Sequence, residues 1–185
     1  VQRVLNAMAI DPNSDYAKFN AALGSVLTGT TVEKSASVTS TSGNTPTTGS
    51  SAANYNVMEF SKISTTQLKD SIRKYTGKEN SWMESQVDNI MAASKKTGID
   101  PRFMVAMAAG ENGWDGSTAL AKANNMINIG AYDSDPMNGM KYANATPLEG
   151  WVNGFTWLKE NYIDAYGQNS LYSMKNPTSV GAPGW

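Results

Sequence analysis

The feature that most constrains the fold is a series of helix start and stop signals in the second half of the chain. A Ser or Thr followed three residues later by Gln or Glu forms a capping box, in which the two side chains satisfy the free amides of a new helix. Glycines at the far ends of such segments are typical helix terminators. The boxes are Ser64-x-x-Gln67, Ser81-x-x-Glu84 and Thr146-x-x-Glu149, and the glycines are Gly98, Gly113 and Gly167. Together they predict successive helices with short connections.

Apolar spacing supports these helices. The run that starts at the second box closes at Gly98, and Asp100-Pro101 then starts another apolar helix with a cap and a first-turn proline. The segment after the third box has the strongest pattern, with one apolar stripe for a core. Gly150 and Gly154, four residues apart, are expected to let another helix approach closely. The stripe consists of Leu148, Trp151, Phe155, Leu158 and Tyr162.

Residues 126–145 change character. This segment mixes β-prone side chains with Asp-Pro and Asn-Gly turn signals and has no helical period, so we interpret it as a loop or a small β-hairpin. The expected fold is mainly α, a helical domain with a small β-hairpin lobe. A cleft is expected between the two lobes, since ligand sites are concave.

Three zones divide the chain. Residues 1–34 hold two short helical patterns with few apolar residues, and we expect them to dock on a larger protein assembly. Residues 35–54 are uncharged and rich in Ser and Thr, with Val38 as their one large apolar side chain, which predicts a flexible linker. A glycosylated stalk is the alternative interpretation of that composition. Residues 55–185 form the predicted globular domain.

The composition narrows the chemistry. With 15 basic and 16 acidic residues, the formal charge is -1, so nothing in it favours a nucleic-acid partner. The chain has no Cys and no His, which excludes a thiolate nucleophile and removes the commonest zinc ligand. The Asp133-Ser134-Asp135 run lacks the further ligands of a calcium loop. No metal or cofactor is predicted. No membrane span is predicted either, because no run approaches the roughly 20 apolar residues that a span needs.

Glu111 is the strongest candidate for chemistry. It ends an apolar helical run, where the negative end of the helix dipole and partial burial both disfavour the ionised form. A carboxyl group that keeps its proton near neutral pH can deliver it to a leaving oxygen. Gly110, directly before it, leaves room for a ligand. The alternative is a solvated glutamate at a helix end, where charged residues are usually exposed.

The residues after Glu111 favour a carbohydrate ligand. Trp114 offers a flat apolar face for a sugar ring. Three asparagines further on, Asn124, Asn125 and Asn128, offer amides that donate to and accept from hydroxyl and acetamido groups. A buried structural tryptophan and ordinary Asn turns are the alternative interpretations. The pattern indicates a site that cuts a sugar polymer.

Several short motifs follow one another in order: Glu111-Asn112-Gly113-Trp114, Ser117, Ala119 to Ala121, Asn124-Asn125, Asn128 to Pro136 and Glu149-Gly150-Trp151. Their order resembles the bacterial and phage glucosaminidase family of peptidoglycan hydrolases. That family typically shows E-S-G-W-G, then S-x-L-A and N-N-L-F-G-I, and one branch adds G-A-Y-D-S-N-P and S-x-x-E-G-I. The ordered match extends over roughly residues 80–176.

The resemblance implies a lysozyme-like α fold with a small β lobe, and hydrolysis of the β-1,4 bond after N-acetylglucosamine in peptidoglycan. It places the family's catalytic glutamate on Glu111 and its cleft aromatic on Trp114. The chain departs from the family pattern at Asn112, where serine is usual, and at Asp115, where glycine is usual. Asp115 adds a charge near the expected cleft and so bears on substrate preference.

A second catalytic group is expected in the β lobe, where Asp133 and Asp135 are the available acids. A general base would lie about 6.5–9.5 Å from the carboxyl group of Glu111, and a nucleophile about 5–5.5 Å from it. The 2-acetamido oxygen of the substrate can replace both, and Tyr132 could then orient that group. Alternatively, the acidic run is only a tight turn.

The sequence therefore predicts a peptidoglycan hydrolase of endo-β-N-acetylglucosaminidase type, with Glu111 as general acid. A muramidase or lytic transglycosylase, which also uses one helix-end glutamate, is the alternative among enzymes. A non-catalytic wall-binding module is the alternative outside them, with Asn112 and Asp115 as signs of decay. The first residues lack the layout of a signal peptide. The expected location is a phage virion tail or, for a secreted autolysin, the bacterial cell wall.

Overall fold

The computed structural model describes residues 56–58 and 63–182. The predicted docking segment (1–34) and linker (35–54) lie outside the described residues. The helices are α1 (Thr65–Thr76), α2 (Trp82–Ser85), α3 (Val87–Thr97), α4 (Pro101–Asn112), α5 (Ala119–Lys122), α6 (Pro147–Leu158) and α7 (Leu171–Lys175). Two 3-10 helices cover Pro136–Tyr142 and Pro177–Val180, and a π-helical segment, Lys159–Asp164, extends α6. The prediction of a mainly α fold is confirmed.

Capping boxes open α1 and α6 as the sequence predicts. At α1, the Ser64 hydroxyl accepts a hydrogen bond from the Gln67 amide at 3.2 Å, and the Gln67 side-chain oxygen accepts one from the Ser64 amide at 2.9 Å. Thr146 and Glu149 exchange the same pair of bonds at α6. Gly113 ends α4 with a φ of 72°, which glycine adopts without a Cβ penalty. These helix ends are therefore set by hydrogen bonds and backbone angles of residues that are close in sequence.

The run predicted from Ser81 to Gly98 is two helices. Ser81 caps α2, but Glu84 does not complete the box, because its Oε1 accepts from the Arg73 guanidinium at 2.6 Å and its Oε2 accepts from the Asn80 amide at 2.7 Å. Gln86 separates α2 from α3, and its side-chain oxygen accepts a hydrogen bond from Trp151 Nε1 at 3.2 Å. Partners distant in sequence therefore divide the run.

Helix α4 lies in the centre of the core. Helix α3 packs against both α4 and α6. Trp151 and Phe155 stack with ring centroids 5.9 Å apart, and Phe155 meets Phe103 edge-on at 6.4 Å, the arrangements that aromatic pairs prefer. Burial of each such side chain contributes about 1.5–3 kcal/mol. The other large, fully buried side chains are Leu68, Ile72, Met83, Ile90, Ile99 and Met104.

The short segment around Val57 fastens the start of α4. The Val57 amide donates to the Asn169 carbonyl at 2.9 Å, and the Val57 carbonyl accepts from the Asp100 amide at 2.8 Å. Asp100 is fully buried, caps α4 through the Arg102 amide at 2.8 Å, and pairs with the Arg102 guanidinium at 2.7 Å. A contact from elsewhere in the chain therefore anchors the start of the central helix.

The predicted lobe is built from turns and a 3-10 helix instead of hairpin strands. Within the described part of this lobe, strand-like pairing is limited to one antiparallel bridge between Tyr132 and Asp135. Pro136 follows directly and has no amide with which to continue a ladder, so the chain enters the 3-10 helix. Asn138 Nδ2 donates to the Gly130 carbonyl at 2.8 Å and closes the lobe on itself.

The described residues contain no long, uninterrupted apolar helix of the kind that crosses a bilayer.

Candidate active site

Glu111 lies on the last turn of α4, where the helix leaves the core. The helix is buried as far as Ala108, whereas Gly110 is exposed and Glu111 is half-buried. Gly113 then turns the chain away from the helix axis. The candidate acid therefore stands at the surface end of a buried helix.

The side chain of Asn128 contacts Glu111. Its Nδ2 donates to Glu111 Oε2 at 3.1 Å and to the Glu111 main-chain carbonyl at 3.1 Å. The second bond satisfies one of the carbonyls that a helix end leaves without an intrahelical partner. Asn128 has a φ of 54°, a left-handed conformation that Asn adopts more readily than most residues. The loop that carries Asn128 is therefore docked on the end of α4.

A second amide, Asn112, joins the helix end to the neighbouring loops. It is buried, its Nδ2 donates to the Met126 carbonyl at 2.9 Å, and its Oδ1 accepts from the Thr118 hydroxyl at 2.5 Å. From the sequence alone, Asn112 is a departure from the serine of the resembled family. The one available signal is an amide between Glu111 and the terminating Gly113, and it does not show which distant carbonyls the amide reaches.

Asn124 and Asn125 hold the same loop from within. Asn125 is 2% exposed, and its Nδ2 donates to the carbonyls of Ile129 and Gly139 at 2.9 and 2.8 Å. Asn124 and Asn144 each donate a side-chain hydrogen bond to the other's main-chain carbonyl, at 2.9 and 3.0 Å. These amides are therefore engaged inside the protein.

Helix α6 packs against the loop that carries Asn124 and Asn128. A Cβ on Gly150 would lie 2.1 Å from the Asn124 carbonyl oxygen, and one on Gly154 would lie 3.3 Å from Ile127 Cγ1. The two glycines do admit a close neighbour, as their spacing predicts, but that neighbour is the Asn124–Ile127 loop and not a helix. Gly150 is thus part of what places Asn128.

Tyr132, Asp133 and Asp135 lie on an exposed turn of the lobe. The Ala131 amide donates to the Asn128 carbonyl at 3.1 Å, a β-turn that holds its end Cα atoms within about 7 Å. Tyr132 is therefore the first residue after a turn that begins at Asn128, the residue that contacts Glu111. Among residues 56–58 and 63–182, no group of three or more acidic side chains is placed to hold a metal ion.

Trp114, three residues after Glu111, lines an open cavity of about 430 Å³, here called the aromatic cavity. Its ring contacts Tyr75 with centroids 4.7 Å apart, and its carbonyl accepts from the Met83 amide at 3.4 Å. Sequence reasoning did not single out Tyr75 or Trp82, since their one signal is an aromatic residue beside a helix end. The lining residues are Tyr75, Thr76, Lys78, Ser81, Trp82, Trp114 and Asp115.

The Asp115 carboxylate is held by the loop that follows it. Its Oδ1 accepts from the Ser117 amide at 3.2 Å, an Asx turn. Hydrogen bonds from the Ser117 amide and hydroxyl lower the pKa of Asp115, and the Lys78 ammonium lowers it further. Asp115 is therefore ionised at neutral pH.

No family model matches the sequence, and no curated protein matches it. The fold matches the crystal structure of S. aureus glucosaminidase B with a TM-score of 0.57 and 14% identity, covering 95% of this chain and 65% of that one. It matches the crystal structure of a major bifunctional autolysin with a TM-score of 0.55 and 21% identity, covering 96% of this chain and 76% of that one. The chain has a glucosaminidase-like fold.

Within this glucosaminidase-like fold, the predicted site residues fall into four groups. Glu111 and Asn128 are in direct contact. Asn124 and Asn125 stabilise the loop that leads to the lobe. Tyr132, Asp133 and Asp135 lie on the exposed turn of the lobe. Trp114 lies in the aromatic cavity. The chain spans just under two thirds of the length of the glucosaminidase B chain.

Proposed function

We propose that this chain is a peptidoglycan hydrolase that cleaves the β-1,4 bonds of the glycan strand, with endo-β-N-acetylglucosaminidase specificity. The observation that carries the proposal is the contact between Glu111, on the last turn of a buried helix, and the Asn128 amide. The glucosaminidase-like fold supports the same reaction class. A carboxyl group in this position can reach a leaving oxygen while its backbone stays fixed by the core.

In the proposed reaction, protonated Glu111 donates its proton to the glycosidic oxygen as the bond from that oxygen to the anomeric carbon breaks. The electron pair of the bond leaves with the oxygen, and Glu111 becomes a carboxylate. Asn128 Nδ2, 3.1 Å from Oε2, stabilises that carboxylate and holds its orientation. Asn128 therefore acts on Glu111 as a positioning residue, in place of the sugar-binding role predicted from sequence.

The anomeric carbon needs a second group, and three arrangements are consistent with the exposed lobe. Asp133 or Asp135 activates water as a general base, one of them attacks as a nucleophile, or the 2-acetamido oxygen attacks with Tyr132 orienting it. The stereochemistry of the product separates the first from the other two. A covalent glycosyl-enzyme intermediate on Asp133 or Asp135, detected by mass spectrometry of the trapped protein, then distinguishes the nucleophile from the acetamido route, in which the sugar forms no bond to the enzyme.

The other residues predicted to bind sugar differ in whether their side chains are engaged within the protein or open to a ligand. We propose that Asn124 and Asn125 act through the loop, since their amides are bonded to protein carbonyls. Trp114 and Asp135 keep their proposed roles in sugar binding, because Trp114 lines an open cavity and Asp135 is exposed.

The decisive experiment measures reducing ends released from purified cell walls by the full chain and by Glu111→Gln. Glutamine keeps the shape and the amide contact but has no proton to give, so the rate should fall by at least about a hundredfold. Glu160→Gln, which alters an exposed glutamate on the π-helical segment, is the matched control and should behave like the wild type. A Glu111→Gln variant with wild-type activity would remove the catalytic proposal and favour a wall-binding module.

Mass spectrometry of the products identifies the bond. N-acetylglucosamine reducing ends support the proposed specificity, N-acetylmuramic acid ends indicate a muramidase, and anhydro ends indicate a lytic transglycosylase. The proposed site of action is the bacterial cell wall, which agrees with the likeness to an autolysin. A phage tail location and docking through residues 1–34 remain predictions from sequence.

A further inference from the structure

The aromatic cavity is a candidate ligand site separate from the contacts of Glu111. It opens between the end of α1, the start of α2 and the loop after α4. Its volume of about 430 Å³ falls within the roughly 300–1,000 Å³ of small-molecule sites. Glu111 is not among the residues that line it.

Three aromatic rings form the walls, and packing fixes their positions. The Tyr75 and Trp114 rings contact each other with centroids 4.7 Å apart and planes inclined by 34°, so each ring holds the other in place. The Trp82 ring lies against the backbone at Gly116, where a Cβ would be 2.3 Å from Trp82 Cδ2. Rings held in this way offer apolar faces to a ligand at a small cost in conformational entropy.

The rim carries one positive and one negative charge. Lys78 supplies an ammonium group, and Asp115 supplies a carboxylate that its Ser117 hydrogen bonds keep ionised. Thr76 and Ser81 add hydroxyls. This balanced set gives no net attraction for a phosphate polymer. Hydroxyl and acetamido groups, in contrast, can use a donor and an acceptor at once.

We propose that the aromatic cavity is a subsite for an N-acetylated sugar of the glycan strand, apart from the sugars at the bond being cut. Tyr75 and Trp82 contact the faces of the sugar ring, while Lys78 and Asp115 bind its hydroxyl and acetamido groups. This inference rests on the proposed function, because it assigns the ligand from the same polymer.

The backbone gives a reason for one strand to reach both places. Trp114 is three residues from Glu111, so their Cα atoms are at most about 11 Å apart. A strand held in the cavity is therefore anchored close to the proposed proton donor. Such an anchor lowers KM for long strands more than for short ones.

The test is isothermal titration calorimetry of a β-1,4-linked N-acetylglucosamine tetramer with the full chain carrying Glu111→Gln, which prevents turnover. Trp82→Ala and Lys78→Gln, each added to that background, should weaken binding about tenfold. Tyr172→Ala, added to the same background, is the matched control: Tyr172 is an exposed aromatic residue of α7 and does not line the aromatic cavity. Its affinity for the tetramer should be unchanged.

Trp82→Phe guards against a folding artefact, since it keeps an aromatic face and should retain most of the affinity. Three results would each overturn the subsite: no tetramer binding, unchanged affinity in both Trp82→Ala and Lys78→Gln, or competition by a sugar-free wall peptide. The proposed function fails separately, through wall hydrolysis that survives Glu111→Gln. Tetramer binding that depends on Trp82 would stand even then.

Discussion

Gly150→Ala should destabilise the protein through a clash between α6 and the site loop. In an ordinary helix interior this change stabilises by about 0.5–1 kcal/mol, because glycine loses more backbone entropy on folding. Here the new methyl group would lie 2.1 Å from the Asn124 carbonyl oxygen and 3.0 Å from its carbon. Backbone atoms cannot move aside as a flexible side chain can, so the helix and the loop must separate.

The cost follows from what the separation disturbs. Overpacking in a close-packed interior costs about 1–3 kcal/mol. The Asn124 carbonyl also accepts from Asn144 Nδ2 at 3.0 Å, and weakening that bond adds about 1 kcal/mol. After the helical gain is subtracted, we expect a net loss of about 2 kcal/mol. Urea or thermal unfolding measures this, as a fall in Tm of about 4 °C per kcal/mol.

Gly154→Ala is the matched control on the same helix. Its Cβ would meet only side-chain atoms, of Ile127 at 3.3 Å and of Ile129 at 4.0 Å, and the Ile127 side chain can shift by a few tenths of an ångström. Its stability should therefore equal or slightly exceed that of the wild type. A Gly150→Ala protein as stable as the wild type, or equal losses in the two variants, would refute the assigned contact. Well below Tm, Gly150→Ala should also hydrolyse walls more slowly, because the displaced loop carries Asn128.

Two further changes probe the carboxylates. Asn128→Gly keeps the positive φ but removes the amide from Glu111, so kcat on soluble glycan fragments should fall about tenfold. A rise in KM at unchanged kcat would instead assign Asn128 to substrate binding. The hydrogen bond from Arg73 lowers the pKa of Glu84, so the stability from this group is complete above about pH 4.3 and is lost as the pH falls through the lower folded value. Thermal unfolding between pH 7 and 3 should therefore show less acid destabilisation in Glu84→Gln than in the wild type, and equal profiles would contradict the pairing. Asp88→Asn, which removes an exposed ion pair, is the control and should follow the wild type.

The predicted helices depend on signals within about four residues. A hydroxyl that caps, a glutamine or glutamate three residues on and a terminating glycine act locally, so Ser64, Thr146 and Gly113 mark their boundaries correctly. The prediction failed where a distant partner competed. Glu84 bonds to the Arg73 guanidinium and to the Asn80 amide instead of completing its box, and Gln86 bonds to Trp151, 65 residues away. A single sequence does not show such partners.

The candidate site likewise combines features set by local sequence with features set by distant contacts. The position of Glu111 at the end of an apolar helix is local information, and the sequence placed it correctly. The amides nearby were read as sugar-binding groups because their chemistry suits hydroxyls. Only the tertiary structure shows that the Asn125 side chain donates to protein carbonyls and that the Asn128 side chain donates to Glu111.

By itself, the sequence determined the mainly helical architecture, the helix ends and the location of the candidate acid, because each depends on spacing and short-range hydrogen bonds. The tertiary structure decided the form of the lobe, the close passage of Gly150 under Asn124, and the aromatic cavity. Those features join residues far apart in the chain. Their geometry is set by which surfaces pack together and which buried polar groups find partners, and no local pattern encodes either.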